Sequence, residues 1–369
     1  MPSATSAIPA TQRAAVKEGH GASAKTPLRE VAVPQPGPDE ILVKLTWTGL
    51  CASDKSLLHD EWGGVGLAMT PDTHGIAGHE GVGRVVAMGP GVEAAGRWKL
   101  GDRAGIKWIA SVCGHCVFCR DSYQGGEVLC LHQKNSGFSV AGTFQQYCVT
   151  SAAYATVLPD AVSDEEAGPI MCGGVTAYSA CKRSQVRPGQ WIVLLGAGGG
   201  LGHLGLQYAK AMGMRIIAVD GGAAKREICL RMGAEIFLDF ADTPDMPAAV
   251  LALTDGIGAH GVINFAAAPS GYATAPYLLR SNGTLVAVGM PGDPAVLAGA
   301  PPMMLAIKRL NIVGSAVGTL ADVDEALDFT ARGLVHPILT KGTLADVDRL
   351  MDDMVSGKLA GRAVLKIED

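Results

Sequence analysis

The chain has 369 residues, which is long enough for two domains with a substantial buried core. Its residues are 48% hydrophobic and 18% charged, a balance that favours a globular fold over a disordered chain. A net charge of -5 without a long basic run argues against nucleic-acid binding, and no apolar run approaches the ~20 residues of a membrane-spanning helix.

The N-terminal part of the chain has the pattern of a mainly β domain. Alternating apolar and polar residues predict strands in EILVKLTWTG at 40–49, GVGRVVAMG at 81–89 and GTFQQYCVT at 142–150. Gly, Pro and Asp residues between these runs predict turns. We expect this domain to occupy residues 1–165.

A cluster of four cysteines lies in this domain and comprises Cys113, Cys116, Cys119 and Cys130. The first twenty residues lack the pattern of a secretory signal, so the nine cysteines of the chain indicate a reducing, cytoplasmic compartment. There, clustered cysteines more often bind metal than form disulfides. Four thiolates close the tetrahedral shell of zinc, so the cluster predicts a structural site without room for a substrate. Surface thiols on a Gly-containing loop are the alternative.

Residues 166–319 have the pattern of a nucleotide-binding α/β domain. Six short apolar runs (WIVLLG, RIIAVD, EIFLDF, GVINFA, TLVAVG and NIVGSA) alternate with helix-compatible segments such as GLGHLGLQYAKAMG and AAKREICLRMG. This alternation favours a doubly wound parallel sheet that is buried on both faces. Two amphipathic segments and the run GRAVLKI follow at 320–369, and we expect this tail to return to the first domain.

The first of these strands leads into a glycine-rich turn that contains Gly196, Gly199, Gly200 and Gly202. Glycines at a helix start let the backbone approach a pyrophosphate. The next strand ends at Asp220, whose carboxylate would accept hydrogen bonds from an adenosine ribose and repel a 2′-phosphate. The pattern predicts a dinucleotide site that prefers NAD over NADP, although Lys225 could meet a phosphate.

Several motifs occur together in the order that is typical of one enzyme family. They are GHEGVG at 78–83, GIKW at 105–108, the four-cysteine cluster, GTFQQY at 142–147, GGGLG at 198–202, ALDF at 326–329 and ARGLV at 331–335. From about residue 15 to its end, the chain resembles the zinc-dependent medium-chain alcohol dehydrogenases, particularly the fungal branch. The resemblance implies a GroES-like catalytic domain at 1–165, a Rossmann NAD-binding domain at 166–319 and a C-terminal return at 320–369.

The resemblance also implies a catalytic zinc site, to which spacing alone would not lead. Its ligands are Cys51, His79 and Cys172, with a fourth position open for water or a substrate oxygen. Glu80 can approach or transiently bind the metal, and Asp54 orients His79. Zinc polarises the substrate oxygen while hydride moves between the substrate carbon and the nicotinamide.

By the same resemblance, Ser53 takes the alcohol proton. Ser56 stands where many fungal relatives have a histidine, so either His59 or solvent receives the proton next. Besides the glycine turn, Asp220 and Lys225, cofactor contacts are expected at Ser53, Thr176, Leu201, Phe240, Val288, Met290, Ser315, Val317 and Arg362. Arg362 would meet the pyrophosphate.

Two further departures from the family pattern concern the cofactor and the structural zinc. Ala52 replaces a residue that is usually basic and faces the pyrophosphate, so cofactor binding should be weaker. The interval from Cys119 to Cys130 is longer than usual, and we expect the intervening residues to bulge outward so that Cys130 closes the cage.

We therefore expect an NAD-dependent zinc alcohol dehydrogenase that interconverts an alcohol and an aldehyde or ketone. Two zinc ions per chain and a dimeric or tetrameric homo-oligomer are part of this expectation, without nucleic-acid or membrane partners. The altered proton route leaves a specialised biosynthetic role open. A zinc-free enoyl or quinone reductase would normally lack the Cys51, His79 and Cys172 set, and a zinc-ribbon binding protein fits poorly with the acidic balance.

Overall fold

The computed structural model describes residues 8–121 and 126–368 of the chain. The chain divides into two compact units. The first unit contains the chain up to Cys172 together with Gly318–Ala331 and Ile338–Asp369, and the second contains Gly173–Val317 and Arg332–Pro337. Within the described ranges, no helix combines the length and the apolarity that crossing a bilayer requires.

The strands of both units are numbered in chain order. They are β1 (Thr11–Ala15), β2 (Leu28–Ala32), β3 (Glu40–Leu50), β4 (Gly81–Met88), β5 (Arg103–Ile106), β6 (Ile109–Ser111), β7 (Lys134–Asn135), β8 (Tyr147–Ser151), β9 (Thr156–Val157), β10 (Trp191–Leu195), β11 (Arg215–Asp220), β12 (Ile236–Asp239), β13 (Ala259–Asn264), β14 (Leu279–Ala287), β15 (Asn311–Gly314), β16 (Leu339–Thr343) and β17 (Arg362–Lys366).

The α-helices are numbered in the same way. They are α1 (Ala52–Leu58), α2 (Pro90–Ala95), α3 (Val117–Arg120), α4 (Asp164–Pro169), α5 (Val175–Arg183), α6 (Gly202–Ala211), α7 (Ala223–Met232), α8 (Met246–Leu253), α9 (Pro269–Thr274), α10 (Pro302–Lys308), α11 (Leu320–Ala331) and α12 (Val347–Val355). A π-helical turn, Ile170–Gly174, separates α4 from α5.

The first unit is built around a mainly antiparallel sheet. Its strands lie in the order β16-β17-β3-β4-β5-β9, and β8 pairs with β3. β1 pairs with β2, and β6 pairs with β7 beside the four-cysteine cluster. One apolar core includes Ile41 and Val43 of β3 together with Leu350 of α12 and Leu365 of β17, so the C-terminal tail completes the core of this unit.

The second unit contains a six-stranded parallel sheet in the order β12-β11-β10-β13-β14-β15. All five residues of β10 are buried, as the continuous apolar run WIVLL predicts for a strand covered on both faces. The order is that of a dinucleotide-binding fold, in which β11 and β12 are added on one side of β10 and the later strands, from β13 onward, on its other side. The predicted fold class, a doubly wound parallel sheet with a mainly β GroES-like domain, is confirmed.

Candidate active site and metal centres

Three loops of the first unit bring the predicted catalytic ligands together. Cys51 directly follows β3 and forms the N-cap of α1. Because β4 runs antiparallel to β3, His79 and Glu80, which directly precede β4, lie beside the end of β3. Cys172 lies in the π-helical turn between α4 and α5, and wide turns of this kind often occur at functional sites.

These four side chains form one buried group of metal-binding donors. The donor atoms of Cys51, His79, Glu80 and Cys172 all lie within 4.8 Å of one another. The Nε2 atom of His79 is 3.2 Å from the Sγ atom of Cys172. The Oε2 atom of Glu80 is buried and has no hydrogen-bond partner among the described residues. Two thiols, an imidazole and an orphaned carboxylate oxygen fit a divalent cation, and thiolate with imidazole favours zinc.

Asp54 fixes the orientation of the ligand histidine. Its Oδ1 atom lies 2.8 Å from Nδ1 of His79, and both side chains are buried. Because a carboxylate accepts hydrogen bonds, Nδ1 carries the proton and Nε2 keeps its lone pair for a metal. The same carboxylate accepts the N–H of Gly78 at 3.1 Å and the N–H of Cys51 at 2.9 Å. Asp54 therefore ties the loops of two ligands to each other.

The ionisation of this buried group is set by its internal contacts. The hydrogen bond with Cys172 lowers the pKa of Cys51 well below its ordinary value, although burial opposes this effect. Burial raises the pKa of the Glu80 carboxyl to about 7, while the charge of Arg362 acts in the opposite direction. Arg362 donates through Nη2 to Oε1 of Glu80, and both side chains are buried. The contacts thus favour the thiolate of Cys51, the form that binds metal.

One residue that the site requires was missed in the sequence. A Cβ atom on Gly49 would lie only 1.9 Å from Oε2 of Glu80, so a side chain at this position would displace the carboxylate. The N–H of Gly49 also donates to the carbonyl of Glu80 at 3.0 Å. The need for glycine at position 49 can be predicted only when the register of β3 and β4 is known, because Gly49 and Glu80 are distant in the chain.

The four-cysteine cluster forms a second group of donors. The sulfur atoms of Cys113, Cys116, Cys119 and Cys130 lie within 4.8 Å of one another. The N–H groups of Cys116 and Cys113 point at the sulfurs of Cys113 and Cys130, at 3.3 and 3.4 Å. The backbone N–H of Cys119 lowers the pKa of Cys116 to about 6. Four converging sulfurs fit a closed zinc shell. The expected bulge includes residues 122–125, which lie outside the described residues.

The predicted proton route begins close to the donor group. The Oγ atom of Ser53 is 3.8 Å from Sγ of Cys51. Ser56 donates its hydroxyl to Oε2 of Glu61 at 2.8 Å. The N–H of His59 donates to the carbonyl of Lys55 at 2.8 Å, at the C-terminal end of α1. The structure therefore brings Ser53 to the ligands, whereas the hydrogen bond of His59 is made by its backbone.

In the second unit, the glycine turn and Asp220 are joined by hydrogen bonds. The N–H of Gly198 donates to Oδ2 of Asp220 at 2.8 Å. Lys225 donates through Nζ to the carbonyl of Gly198 at 2.7 Å, so its ammonium is bound to the turn itself. Gly196 has a φ of +73°, and a Cβ on Gly202 would lie 2.1 Å from the Gly196 carbonyl. Glycine is therefore required at both ends of this turn.

The other predicted cofactor positions divide between the two units. Ser53 and Arg362 belong to the first unit, and Thr176 lies buried in α5 of the second. The rest of the second unit's positions follow the carboxyl ends of strands β10, β12, β14 and β15, and they are Leu201, Phe240, Val288, Met290, Ser315 and Val317. Ligands of doubly wound sheets bind at this edge. Val317 has a φ of +48°, which is strained for a β-branched residue.

Comparison with known proteins agrees with this geometry. Residues 37–160 match the model of the alcohol dehydrogenase GroES-like domain, and residues 200–332 match that of the zinc-binding dehydrogenases. The chain is 45% identical to an alcohol dehydrogenase of Schizosaccharomyces pombe, over 98% of this chain and 99% of that protein. It is 42% identical to alcohol dehydrogenase 2 of Emericella nidulans, over 98% of both chains.

Solved structures show the same architecture. An alcohol dehydrogenase of the archaeon Aeropyrum pernix superposes with a TM-score of 0.83 at 27% identity and covers 96% of this chain and 99% of its own. An acetophenone reductase of Geotrichum candidum in complex with NAD gives a TM-score of 0.82 at 26% identity, over 98% of both chains. The predicted family, with its zinc and NAD cofactors, is confirmed. The chain belongs to the zinc-dependent alcohol dehydrogenases, which interconvert alcohols and carbonyl compounds with NAD(H).

Proposed function

We propose that this chain performs alcohol oxidation and carbonyl reduction at the group formed by Cys51, His79 and Cys172, with Glu80 beside it. The buried set of donors carries this proposal, because it combines two thiols with a histidine that Asp54 holds in the metal-binding tautomer. The four-cysteine cluster would hold a second zinc with a closed shell, so it has no role in turnover.

In the mechanism, bound zinc would supply Lewis acidity toward the substrate oxygen and bound NAD would supply the hydride acceptor. Ser53 lies 3.8 Å from the sulfur of Cys51, where its hydroxyl can receive the alcohol proton. Glu80 holds its free carboxylate oxygen within the donor group, and its other oxygen is held by Arg362. Trp108 stands edge-on to His79, with ring centroids 5.2 Å apart, and limits the space beside that ligand.

The glycine turn at 196–202 and Asp220 would hold the dinucleotide. Asp220 keeps a carboxylate beside the turn, where it can accept the hydroxyls of an adenosine ribose. The ammonium of Lys225 donates a hydrogen bond to the carbonyl of Gly198. This contact holds the ammonium at the turn and reduces the capacity of Lys225 to attract a 2′-phosphate. These contacts support a preference for NAD over NADP.

We also propose that the chain forms a homo-oligomer through β15. This strand lies at the edge of the parallel sheet, and an edge strand offers backbone hydrogen-bonding groups to a neighbouring chain. Leu297, Met303 and Ile307, close to β15 in sequence, are 79%, 75% and 75% exposed. Such an exposed apolar surface favours association of a second copy. Light scattering should give a multiple of the chain mass, and Met303→Glu should shift the population toward monomer.

Deuterium transfer tests the reaction directly. Zinc-loaded protein is incubated with NAD and with a panel of primary and secondary alcohols in which every hydrogen on the carbinol carbon is replaced by deuterium. Reduced cofactor that is one deuterium heavier for at least one alcohol supports the proposal. The proposal would be contradicted if the protein takes up no zinc, reduces an enoyl or quinone substrate, and transfers no deuterium from any alcohol.

A further inference from the structure

The second unit contains a buried histidine that the proposed function leaves unused. His203 is the second residue of α6 and directly follows the glycine turn. Its side chain is fully buried, at 0% exposure. A polar ring buried at this depth needs a hydrogen-bond partner, since an unsatisfied polar group in the interior destabilises the fold.

That role is visible at the carbonyl of Gly199. The oxygen of Gly199 accepts the backbone N–H of His203 at 3.0 Å. The same oxygen lies 3.0 Å from Nδ1 of the His203 ring. Because a carbonyl oxygen only accepts, Nδ1 must carry the proton in this contact. One residue thus donates twice to a single carbonyl of the turn.

Hydrogen bonds of Gln207 connect the backbone of His203 to a second segment of the same unit. Gln207, one helical turn later, donates through Nε2 to the carbonyls of His203 and His336, at 3.0 and 2.9 Å. Its Oε1 atom accepts the N–H of His336 at 2.9 Å. Gln207 is buried, and His336 belongs to the segment Arg332–Pro337 of the same unit. The series of hydrogen bonds runs from the glycine turn to this segment.

We propose that His203 is a positioning residue for the dinucleotide. A peptide group beside glycine rotates easily, and a carbonyl oxygen turned toward a pyrophosphate would repel it. The paired donors of His203 hold the Gly199 carbonyl on the helix side, so the N–H groups of the turn remain available to the anion. The inference rests on the proposed cofactor turn at 196–202.

Three substitutions separate this role from simple packing. In His203→Asn, the amide nitrogen can occupy the place of Nδ1, whereas in His203→Gln it lies one carbon farther along. His203→Leu keeps much of the volume and removes the donor. Leu206→Val, in the buried part of the same helix, is the control for a general loss of packing. Thermal unfolding reports the stability of every variant.

The measurements are the dissociation constants of NADH, by nicotinamide fluorescence, and of ADP-ribose, by calorimetry. One net hydrogen bond corresponds to roughly 2- to 12-fold in affinity, so His203→Leu and His203→Gln should weaken both ligands by that factor. His203→Asn should stay within about twofold of the wild type because it restores the donor. Leu206→Val should lower the melting temperature and leave both constants unchanged.

Two results would overturn the inference alone, provided that the wild type binds NADH. One is unchanged binding of NADH and ADP-ribose by His203→Leu. The other is a folded His203→Asn variant that binds as weakly as His203→Leu. Wild-type protein that binds neither ligand would contradict the proposed cofactor turn together with this inference.

Discussion

The carboxylate of Asp54 lies 2.8 Å from Nδ1 of His79, in a position where solvent reaches neither side chain. The same carboxylate accepts N–H groups from the backbone of Cys51 and Gly78. One side chain therefore sets the histidine tautomer and also fixes the distance between two ligand loops. A buried acid with these three contacts controls the metal site without being one of its sulfur or nitrogen ligands.

Asp54→Asn should weaken zinc binding at this site by about 10- to 100-fold, the range found when partners of metal-bound histidines are removed. The amide can still accept one hydrogen bond, but it loses the negative charge that orients the imidazole. Competition with a chromogenic chelator measures the affinity. Asp72→Asn, on the surface, is the matched control. Unaltered zinc affinity in Asp54→Asn would show that the contact with His79 is incidental.

Ser53→Ala should lower kcat/KM for alcohol oxidation by ~10²-fold or more, as expected when a group that transfers a proton is removed. Zinc content should barely change, because Ser53 is proposed to act on the substrate proton and is not a metal ligand. Ser56→Ala is the control, since its hydroxyl is bound to Glu61. A Ser53→Ala enzyme with wild-type rates would remove this residue from the mechanism.

The next proton carrier is tested by His59→Gln. Among the described residues, the side-chain contact of Ser53 is with the sulfur of Cys51, and no hydrogen bond joins it to the imidazole of His59. We therefore expect water to accept the proton, and the pH–rate profile should stay close to that of the wild type. A large loss of rate that added imidazole partly restores would instead assign the step to His59.

Asp220→Ala should raise the KM for NAD and narrow the preference for NAD over NADP. The substitution removes both a ribose hydrogen bond and a repulsive charge, and it leaves the N–H of Gly198 without its acceptor. Initial rates with both cofactors measure the effect, and Asp242→Ala, an exposed residue, serves as the control. Wild-type protein that strongly prefers NADPH would refute the assigned role.

Lys107 is a buried lysine near the four-cysteine cluster. Its Nζ atom donates to the carbonyl of Tyr154 and, at 3.0 Å, to Oγ1 of Thr156. Burial lowers the pKa of Lys107 to about 7. The charged groups that act on it are Asp324, Glu127 and Arg97, and only Arg97 reinforces the decrease.

This shift predicts how the stability of the protein depends on pH. Between about pH 7 and the unfolded pKa near 10.5, the unfolded chain binds more protons at Lys107 than the folded chain does. The contribution of Lys107 to the free energy of unfolding should therefore rise with pH, by at most about 1.4 kcal/mol per pH unit. Urea denaturation near pH 7 and near pH 9, for the wild type and Lys107→Met, measures the difference. The free energy of unfolding of the wild type minus that of Lys107→Met should be larger at pH 9 than at pH 7. A smaller value at pH 9 would contradict the prediction.

The sequence predicts the parallel sheet well because its signals are local. The apolar runs of β10 to β15 and the glycines at 196–202 each identify an element without knowledge of distant contacts. The catalytic ligands are different, since Cys51, His79 and Cys172 meet only through strand pairing and a π-helical turn. These three residues are predicted as one site by the resemblance to a family, whereas their spacing in the sequence does not predict it.

Three other features of the sites could not be predicted from the sequence, because they also depend on the positions that their partner groups take in the folded chain. The pair of Arg362 with Glu80 joins residues that are 282 positions apart in the chain. The need for glycine at position 49 depends on where the Glu80 carboxylate lies. His203 occupies an ordinary helical position in the sequence, and only the position of the Gly199 carbonyl reveals its partner. Long-range geometry of this kind has no local pattern.

The zinc content of two cysteine variants tests the central claim most directly. Wild-type protein should contain about two zinc ions per chain. Cys172→Ala should lose about one zinc and nearly all turnover while it keeps its thermal stability, whereas Cys116→Ala should lose about one zinc and become less stable, because a closed site contributes folding energy. Metal analysis, thermal unfolding and NADH formation are measured on the same preparations. A Cys172→Ala protein that retains both zinc ions and wild-type turnover would contradict the account.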